Sequence, residues 1–522
     1  MSSSDRPIQL VWFKRDLRVH DHAPLAAAAA HGPLLPLYVI EPELLGGAEC
    51  STAHWRFIRP ALLELRENLA RLGAPLLVRS GDILTVLREL REQIGFAAIW
   101  AHEETGTSWT YARDRAVRRW ARDRGIRMRE LPQFGVVRRL TDRDGWDRRW
   151  EQFMQQPQVP TPAAITPAPL ALEPGPIPPA TDLTAQVGLR DEGVQRVQRG
   201  GEAAGLRVLA EFLQRRGEYY HSSLSSPATA VNGCSRLSPH FAWGTVSLRR
   251  AVQELRRRQA AVALDPAAGS WPRALAAFAS RLHWHCHFVQ KLEDEPTLGA
   301  RNLVRAFDGL REGNHDPTLL AAWAAGETGQ PLVDACMRSL RATGWLNFRM
   351  RAMVVSYLSF DLWQHWDLGG ALLARLFTDY EPGIHYAQLQ MQSGTAGNTV
   401  LRIYNPQAQA QQHDPQGNFI RRWVPELAAL PTTFIHAPWL MPIEQQRALG
   451  VIIGTHYPAP LVDHATAYRA AREAIAALRA GAEARRQIAD VRQRHGSRRR
   501  EPPRSRSRIT ARGQLSLPLG ES

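Results

Sequence analysis

The sequence predicts an α/β domain built on a parallel sheet, followed by a larger all-α domain. Three observations carry this. Short apolar runs alternate with helical patterns as far as His102. A proline-rich stretch, QQPQVPTPAAITPAPLALEPGPIPPATD (155–182), then interrupts every regular period. Beyond it, apolar residues recur at helical spacing, as in Val333, Met337 and Leu340 and again in Met350, Val354, Tyr357 and Leu358. The expected division is an α/β domain over 1–150, a proline-rich linker over 151–200, a helical domain over 201–484 and a disordered Arg-rich tail over 485–522.

IQLVWF (8–13), PLLPLYVI (33–40), APLLVRS (74–80) and FAAIWAH (96–102) read as strands, with a helix at about 55–72 between the second and third. Strands alternating with helices place helices on both faces of a parallel sheet. No GxGxxG follows the first strand, so a standard dinucleotide fingerprint is absent there. The proline density of 155–182 favours an extended, semi-rigid connection.

With 522 residues and 44% hydrophobic content the chain has room for two or three cores. No run of ~18 apolar residues occurs, so no membrane helix or membrane partner is expected. MSSSDRP lacks the basic and apolar regions of a signal peptide. Cys50, Cys234, Cys286 and Cys336 lie far apart, which argues against a disulfide framework or a zinc or iron–sulfur site and for a reduced, cytoplasmic setting. The formal net charge is +15, and residues 485–513 hold eleven Arg against Asp490 and Glu501. Both the body and the tail suit a polyanionic partner such as DNA.

Three stretches carry chemistry. Ser235-Arg236-Leu237-Ser238 precedes a helical run, where hydroxyls and free backbone N–H groups suit phosphate; a helix-capping serine is the commoner use of such a motif. RLHWHCHFVQKLEDEP (281–296) alternates His283, His285 and His287. On a helix His285 points away from the other two and no carboxylate completes a ligand set, so no metal site is expected. The stretch from Pro331 to Leu427 threads Arg349, Arg351, Asp361, Trp345, Trp363 and Trp366 through an apolar pattern, which requires a polar or anionic counterpart inside the fold.

KRDLRVHDHAPL after the first strand, SRLS, and then PLVDACMR, TGW, R-x-R, Asp379 and RIYNP…FIRRWVPEL resemble, in order, the photolyase/cryptochrome family from about Leu10 to His464. The resemblance implies a Rossmann-like antenna domain, a helical FAD-binding domain, and an antenna pigment of unspecified identity in the first. Tyr219, Ser235, Leu237, Ser238, Arg351 and Asp379 match FAD contacts, and His385 matches the residue facing flavin N5, where an imidazole is expected to donate a hydrogen bond or a proton. Trp284 matches the indole that packs on a flipped pyrimidine dimer. In the family, reduced FAD excited by blue light donates an electron that splits the dimer and then returns.

The chain departs from the family on the substrate side. Arg281 stands where the typical repair enzymes have a glutamate, Phe348 where they have an asparagine, and Met391 where they have a second stacking tryptophan. Trp323 and Trp366 match the distal and middle electron-relay tryptophans, while the flavin-proximal position is Leu389; Trp363 or Tyr386 is expected to replace it. Two readings follow: a light-driven repair enzyme, a monomer acting on pyrimidine dimers in DNA, or a photoreceptor without repair. The terminal QLSLPL resembles the peptide by which bacterial repair proteins dock on the sliding clamp, with Gln514 at a pocket edge and Leu517 and Leu519 in an apolar cleft.

Overall fold

The computed structural model describes residues 6–169, 172–397 and 401–496. Five parallel strands, β1 (Gln9–Phe13), β2 (Leu34–Ile40), β3 (Leu77–Ser80), β4 (Ala98–His102) and β5 (Arg127–Leu131), form one sheet in the order β3-β2-β1-β4-β5. Every residue of β1 and β4 is buried, because β1 lies between β2 and β4 with Leu10 opposite both Leu35 and Ile99. That central position explains the unbroken apolar run, since a strand covered on both faces has no polar side to show. Helices Ala23–His31, Thr52–Leu72, Ile83–Ile94 and Ser108–Asp123 connect the strands.

The linker region is more structured than its prolines imply. Thr166 O accepts from Leu34 N and Pro174 O from Val78 N, at 2.8 and 2.7 Å, so the segment runs along the sheet. Proline lacks a donor but keeps its carbonyl, and that is what an edge strand's N–H needs. Helix Ala180–Val187 then forms inside the expected linker, and helix Trp146–Gln155 buries Trp146, Trp150 and Met154 with residues of the helical domain.

Among the described residues the helical domain has two large cores and a smaller one. One large core surrounds Phe212, Leu248, Val252 and Phe278. The other large core surrounds Trp323, Met337, Met350, Leu358 and Trp366. A further helix, Ala482–His495, corrects the expectation of disorder from residue 485. Its Val491 packs with Ala471, Ile475, Val304 and Phe307, enough apolar contact to hold a highly charged helix in place. The QLSLPL peptide lies outside the described residues. Among the described residues no helix is long and apolar enough to cross a membrane.

The two domains lock at the turn after β1. Arg15 donates to Ala242 O and Arg18 to Gly244 O, each at 2.8 Å, and the Arg15 guanidinium sits 4.5 Å from the Trp243 ring centroid. Gly244 has φ +63°, and a Cβ there would meet Arg15 O at 2.1 Å. Only glycine fits so close a backbone approach. This lock fixes the helix Ser238–Ala242, which begins within the SRLS motif, against the sheet domain.

Candidate cofactor and substrate site

Arg351 and Asp379 form the centre of the site. Arg351 lies on the first turn of helix Phe348–Ser356, and Asp379 follows helix Trp366–Leu376. Their ion pair closes at 2.8 Å, with Arg351 Nε also donating to Leu346 O at 2.8 Å. The guanidinium lies 4.0 Å from the Phe377 ring centroid. Burial pushes the Asp379 carboxyl upward, but the Arg351 guanidinium, helped by Ser238 and Arg236, more than offsets it and leaves the pKa below the ordinary value. Asp379 Oδ1 nevertheless has no hydrogen-bond partner, and the same holds for Asn347 Oδ1.

Around this pair the fold collects cations. Arg216, Arg236, Arg281 and Arg351 all lie close enough to act on the Cys234 thiol, although burial dominates and pushes that thiol up to about 12. Arg216 braces the SRLS loop by donating to Asn232 O at 3.1 Å and Ser235 O at 2.8 Å. Arg236 takes a left-handed backbone, φ +61°, and stacks 4.0 Å from the Trp345 ring centroid. Burial lowers its pKa to about 10, with Asp379 opposing the shift. An anionic ligand with an N–H donor suits this arrangement: the excess guanidinium charge matches a diphosphate, and Asp379 Oδ1 awaits a donor such as a ring imide.

Each residue singled out in the sequence has a definite place. Ser235 and Ser238 flank Leu237, whose side chain is wholly buried in the apolar core, so only its backbone faces a ligand. Tyr219 is exposed. His385 Nε2 hydrogen-bonds Gly370 O at 2.9 Å, which fixes the ring proton on Nε2. Burial lowers its pKa to about 4 despite that carbonyl. The ring is therefore neutral at physiological pH, with Nδ1 as an acceptor.

Trp284 lies half-buried on the long helix Trp271–Asp294, stacked on Phe288 with ring centroids 5.6 Å apart. Arg281, one turn earlier, places its guanidinium 5.7 Å from the ring centroid of the exposed Phe348. Met391, at the end of helix Pro382–Gln392, is partly exposed. The alternating histidines separate as expected: His283 meets Asp147 at 2.9 Å, His287 meets Arg143 at 3.0 Å, and His285 packs edge-on against Phe134 and Phe241.

The tryptophans are buried deeply. Trp323 donates to Val354 O at 3.1 Å and Trp366 to Asn302 Oδ1 at 2.8 Å, and neither shows measurable exposure. A wholly buried Trp323 cannot itself meet a reductant in solvent. Leu389 is buried beside Gly370. Of the two expected substitutes, Tyr386 lies 6.3 Å from Trp366 between ring centroids. Trp363 instead stacks under Arg311 at 4.5 Å.

Two family models match the chain, "DNA photolyase" over residues 9–138 and "FAD binding domain of DNA photolyase" over 278–477. The chain belongs to the photolyase/cryptochrome family. It is 30% identical to a cryptochrome DASH of Gloeobacter violaceus, over 87% of this chain and 93% of that protein. It is 29% identical to a deoxyribodipyrimidine photo-lyase of Agrobacterium fabrum, over 92% and 99%. The crystal structure of a bacterial class III photolyase from Agrobacterium tumefaciens superposes with a TM-score of 0.77 at 27% identity, covering 91% of this chain and 98% of that one. As a family member the chain carries an FAD-binding domain, and the cation-rich pocket with its unsatisfied Asp379 oxygen fits FAD.

The sequence reading missed Arg216, Arg236 and Asn347 as parts of this photolyase-type pocket. The unpaired Arg215-Arg216 ahead of GEYY and the arginine inside SRLS itself were the available signals. It also missed a buried polar cluster at the carboxyl end of the sheet. There Asp16 Oδ2 accepts from His22 Nε2 at 2.9 Å and His102 Nδ1 at 2.7 Å. These three residues are close enough to hold a cation. Leu25 N already occupies His22 Nδ1, at 3.1 Å, so the cluster is satisfied by its own hydrogen bonds. The carboxylates of segment 102–111 are likewise engaged, Glu104 with Arg113 at 2.6 Å and Glu103 with Arg138 at 3.8 Å.

Proposed function

We propose that this protein is a blue-light-driven flavoprotein of the photolyase type that splits pyrimidine dimers in DNA. The observation that carries the reading is the half-buried Trp284 one turn from Arg281, whose guanidinium, like that of Arg351, acts on Cys234. FAD supplies the light absorption and the electron. The chain's residues do the rest: Ser235, Ser238 and Arg236 receive the diphosphate while Arg216 braces their loop, Arg351 and Asp379 hold the ring's polar edge, and Trp284 offers an apolar face to an unstacked base pair. Relatives named deoxyribodipyrimidine photo-lyase support the activity. The test incubates the reduced protein with a dimer-containing oligonucleotide under blue light and in darkness. Light-dependent loss of the dimer supports repair, and equal dimer content in both arms overturns it.

A photoreceptor role is the second reading, favoured by the replacement of polar base contacts at Arg281 and Phe348 and of a stacking tryptophan by Met391, and by relatives named cryptochrome DASH. A flavin that photoreduces while dimers persist is its signature. Beyond the described residues, we propose that Gln514, Leu517 and Leu519 dock on a bacterial sliding clamp while the arginine-rich stretch holds DNA, two weak attachments that reinforce one another. Calorimetric titration of residues 505–522 against a clamp, with Gln514→Ala plus Leu517→Ala as control, tests it.

A further inference from the structure

We propose that Tyr386 is an oxidisable residue of this protein and that Glu49, from the α/β domain, takes its phenolic proton when it loses an electron. The inference rests on the FAD reading above and adds to it a proton acceptor and a route across the domain boundary.

Tyr386 is the ring shared by two groups of buried aromatics. On one side Trp366 lies 6.3 Å away; on the other are His385 at 5.1 Å and Tyr380 at 6.5 Å, themselves 5.2 Å apart. His385 continues to Phe377, the ring under Arg351. Tyr386 therefore stands between the buried tryptophan and the candidate flavin pocket, one turn before the inert Leu389.

Its hydroxyl donates to Glu49 Oε1 at 2.7 Å. Burial, and then the Glu49 charge, raise the phenol's pKa, so it stays protonated at neutral pH. A phenol that loses an electron becomes a strong acid, and oxidation is easiest where a base already accepts its hydrogen bond. Trp366 has no such base: its indole N–H meets the amide oxygen of Asn302, which cannot accept a proton. Tyr380 has none either: the group its hydroxyl faces is the hydroxyl of Tyr386, a phenol and not a base.

Glu49 is well placed for proton exchange. It is only half-buried, in the loop between helices Pro42–Leu45 and Thr52–Leu72. Arg375 donates to Ala48 O at 2.8 Å and Ser51 Oγ to Arg375 O at 2.6 Å, which pins the loop against the helical domain. In the step, Tyr386 loses one electron to the light-excited oxidised flavin and its proton to Glu49, giving a neutral tyrosyl radical and a protonated carboxyl. Tyr386 is itself buried, so the electron returns to it from an external thiol by transfer from the half-buried Glu49 side rather than by contact, and the proton returns from Glu49.

The test uses the full-length protein with bound FAD, its content measured first by absorbance after denaturation. Flash illumination with freeze-quench EPR should show a tyrosyl radical. Tyr386→Phe should abolish that signal and slow thiol-dependent photoreduction at least about tenfold. Glu49→Gln keeps the shape and the FAD content while removing the base, so it should slow photoreduction and shrink the solvent deuterium effect, and Glu49→Asp should restore part of both. A tryptophanyl signal, or photoreduction at the wild-type rate in Tyr386→Phe, overturns the proposal and leaves the FAD reading intact. A wild type that binds no FAD overturns both.

Discussion

Arg351 holds Asp379 by a single 2.8 Å contact and leaves the carboxylate's other oxygen buried and unsatisfied. A carboxylate so placed is costly unless something else meets it, so the pair is primed for a ligand donor. Arg351→Ala removes the guanidinium and leaves Asp379, 3% exposed at its side chain, with only Ser238 and Arg236 to offset its charge. Breaking a fully buried pair costs about 3–5 kcal/mol; Arg351 is 26% exposed, so the loss here should fall below that range. FAD content per chain should drop strongly in Arg351→Ala and in Asp379→Ala, measured by flavin release on denaturation. Retention at wild-type occupancy in both would remove the pair from the site.

Filling the gap in the tryptophan series gives a second prediction. Leu389→Trp should speed flavin photoreduction, because an indole can be oxidised and an isobutyl group cannot. Gly370 already approaches closely, with a Cβ there meeting Leu389 Cδ1 at 3.1 Å, so the larger ring should also cost about 1–3 kcal/mol of stability. Trp366→Phe should leave fast photoreduction largely intact if electrons leave from Tyr386. Transient absorption on the two variants checks both expectations.

Acid sensitivity follows from the buried histidines. Burial lowers His54, His285 and His385 each to about 4. Below the ordinary histidine value of about 6.5 the unfolded chain binds protons that the folded chain refuses. Stability is therefore full above that value and falls as the pH drops from about 6.5 toward 4. Thermal melts at about pH 7.5 and pH 5 should show a clearly lower midpoint at the acid value. An unchanged midpoint would mean that these rings gain protons without unfolding.

Much of this was legible in the sequence, for physical reasons that differ by region. The strands were readable because a central parallel strand buries both faces and so shows an unbroken apolar run, as Leu10, Val11, Trp12 and Phe13 do. Arg351 and Asp379 were findable because charge in an apolar helical pattern must be answered from somewhere. The protonation of His385 was not readable, since it depends on the carbonyl of Gly370, fifteen residues earlier in the chain. Glu49 was still less so. Its partner Tyr386 is 337 residues away and belongs to the other domain, so no local period marks it.

Arg281 and Phe348 allow the sharpest test of what the pocket recognises. Arg281 is exposed; its guanidinium hydrogen-bonds the hydroxyl of the buried Tyr220 and rests near the face of an exposed Phe348. Replacing it should cost about 0.5–1.5 kcal/mol of stability, the worth of the lost hydrogen bond to Tyr220. Its five N–H donors match carbonyl oxygens on an unstacked pyrimidine pair, where the typical glutamate would instead accept from ring N–H groups. A good contact of this kind to a base edge carries about 1–3 kcal/mol of discrimination. Arg281→Ala should therefore weaken dark binding to a dimer-containing oligonucleotide roughly tenfold while changing affinity for the undamaged strand much less. Equal losses on both strands would mean that Arg281 meets only the phosphate backbone, and a reduced salt dependence of binding would accompany that outcome. Arg281→Glu should behave like Arg281→Ala on undamaged DNA, and should regain affinity for the dimer only if Phe348→Asn is added, because the phenyl ring occupies the space beside the new carboxylate.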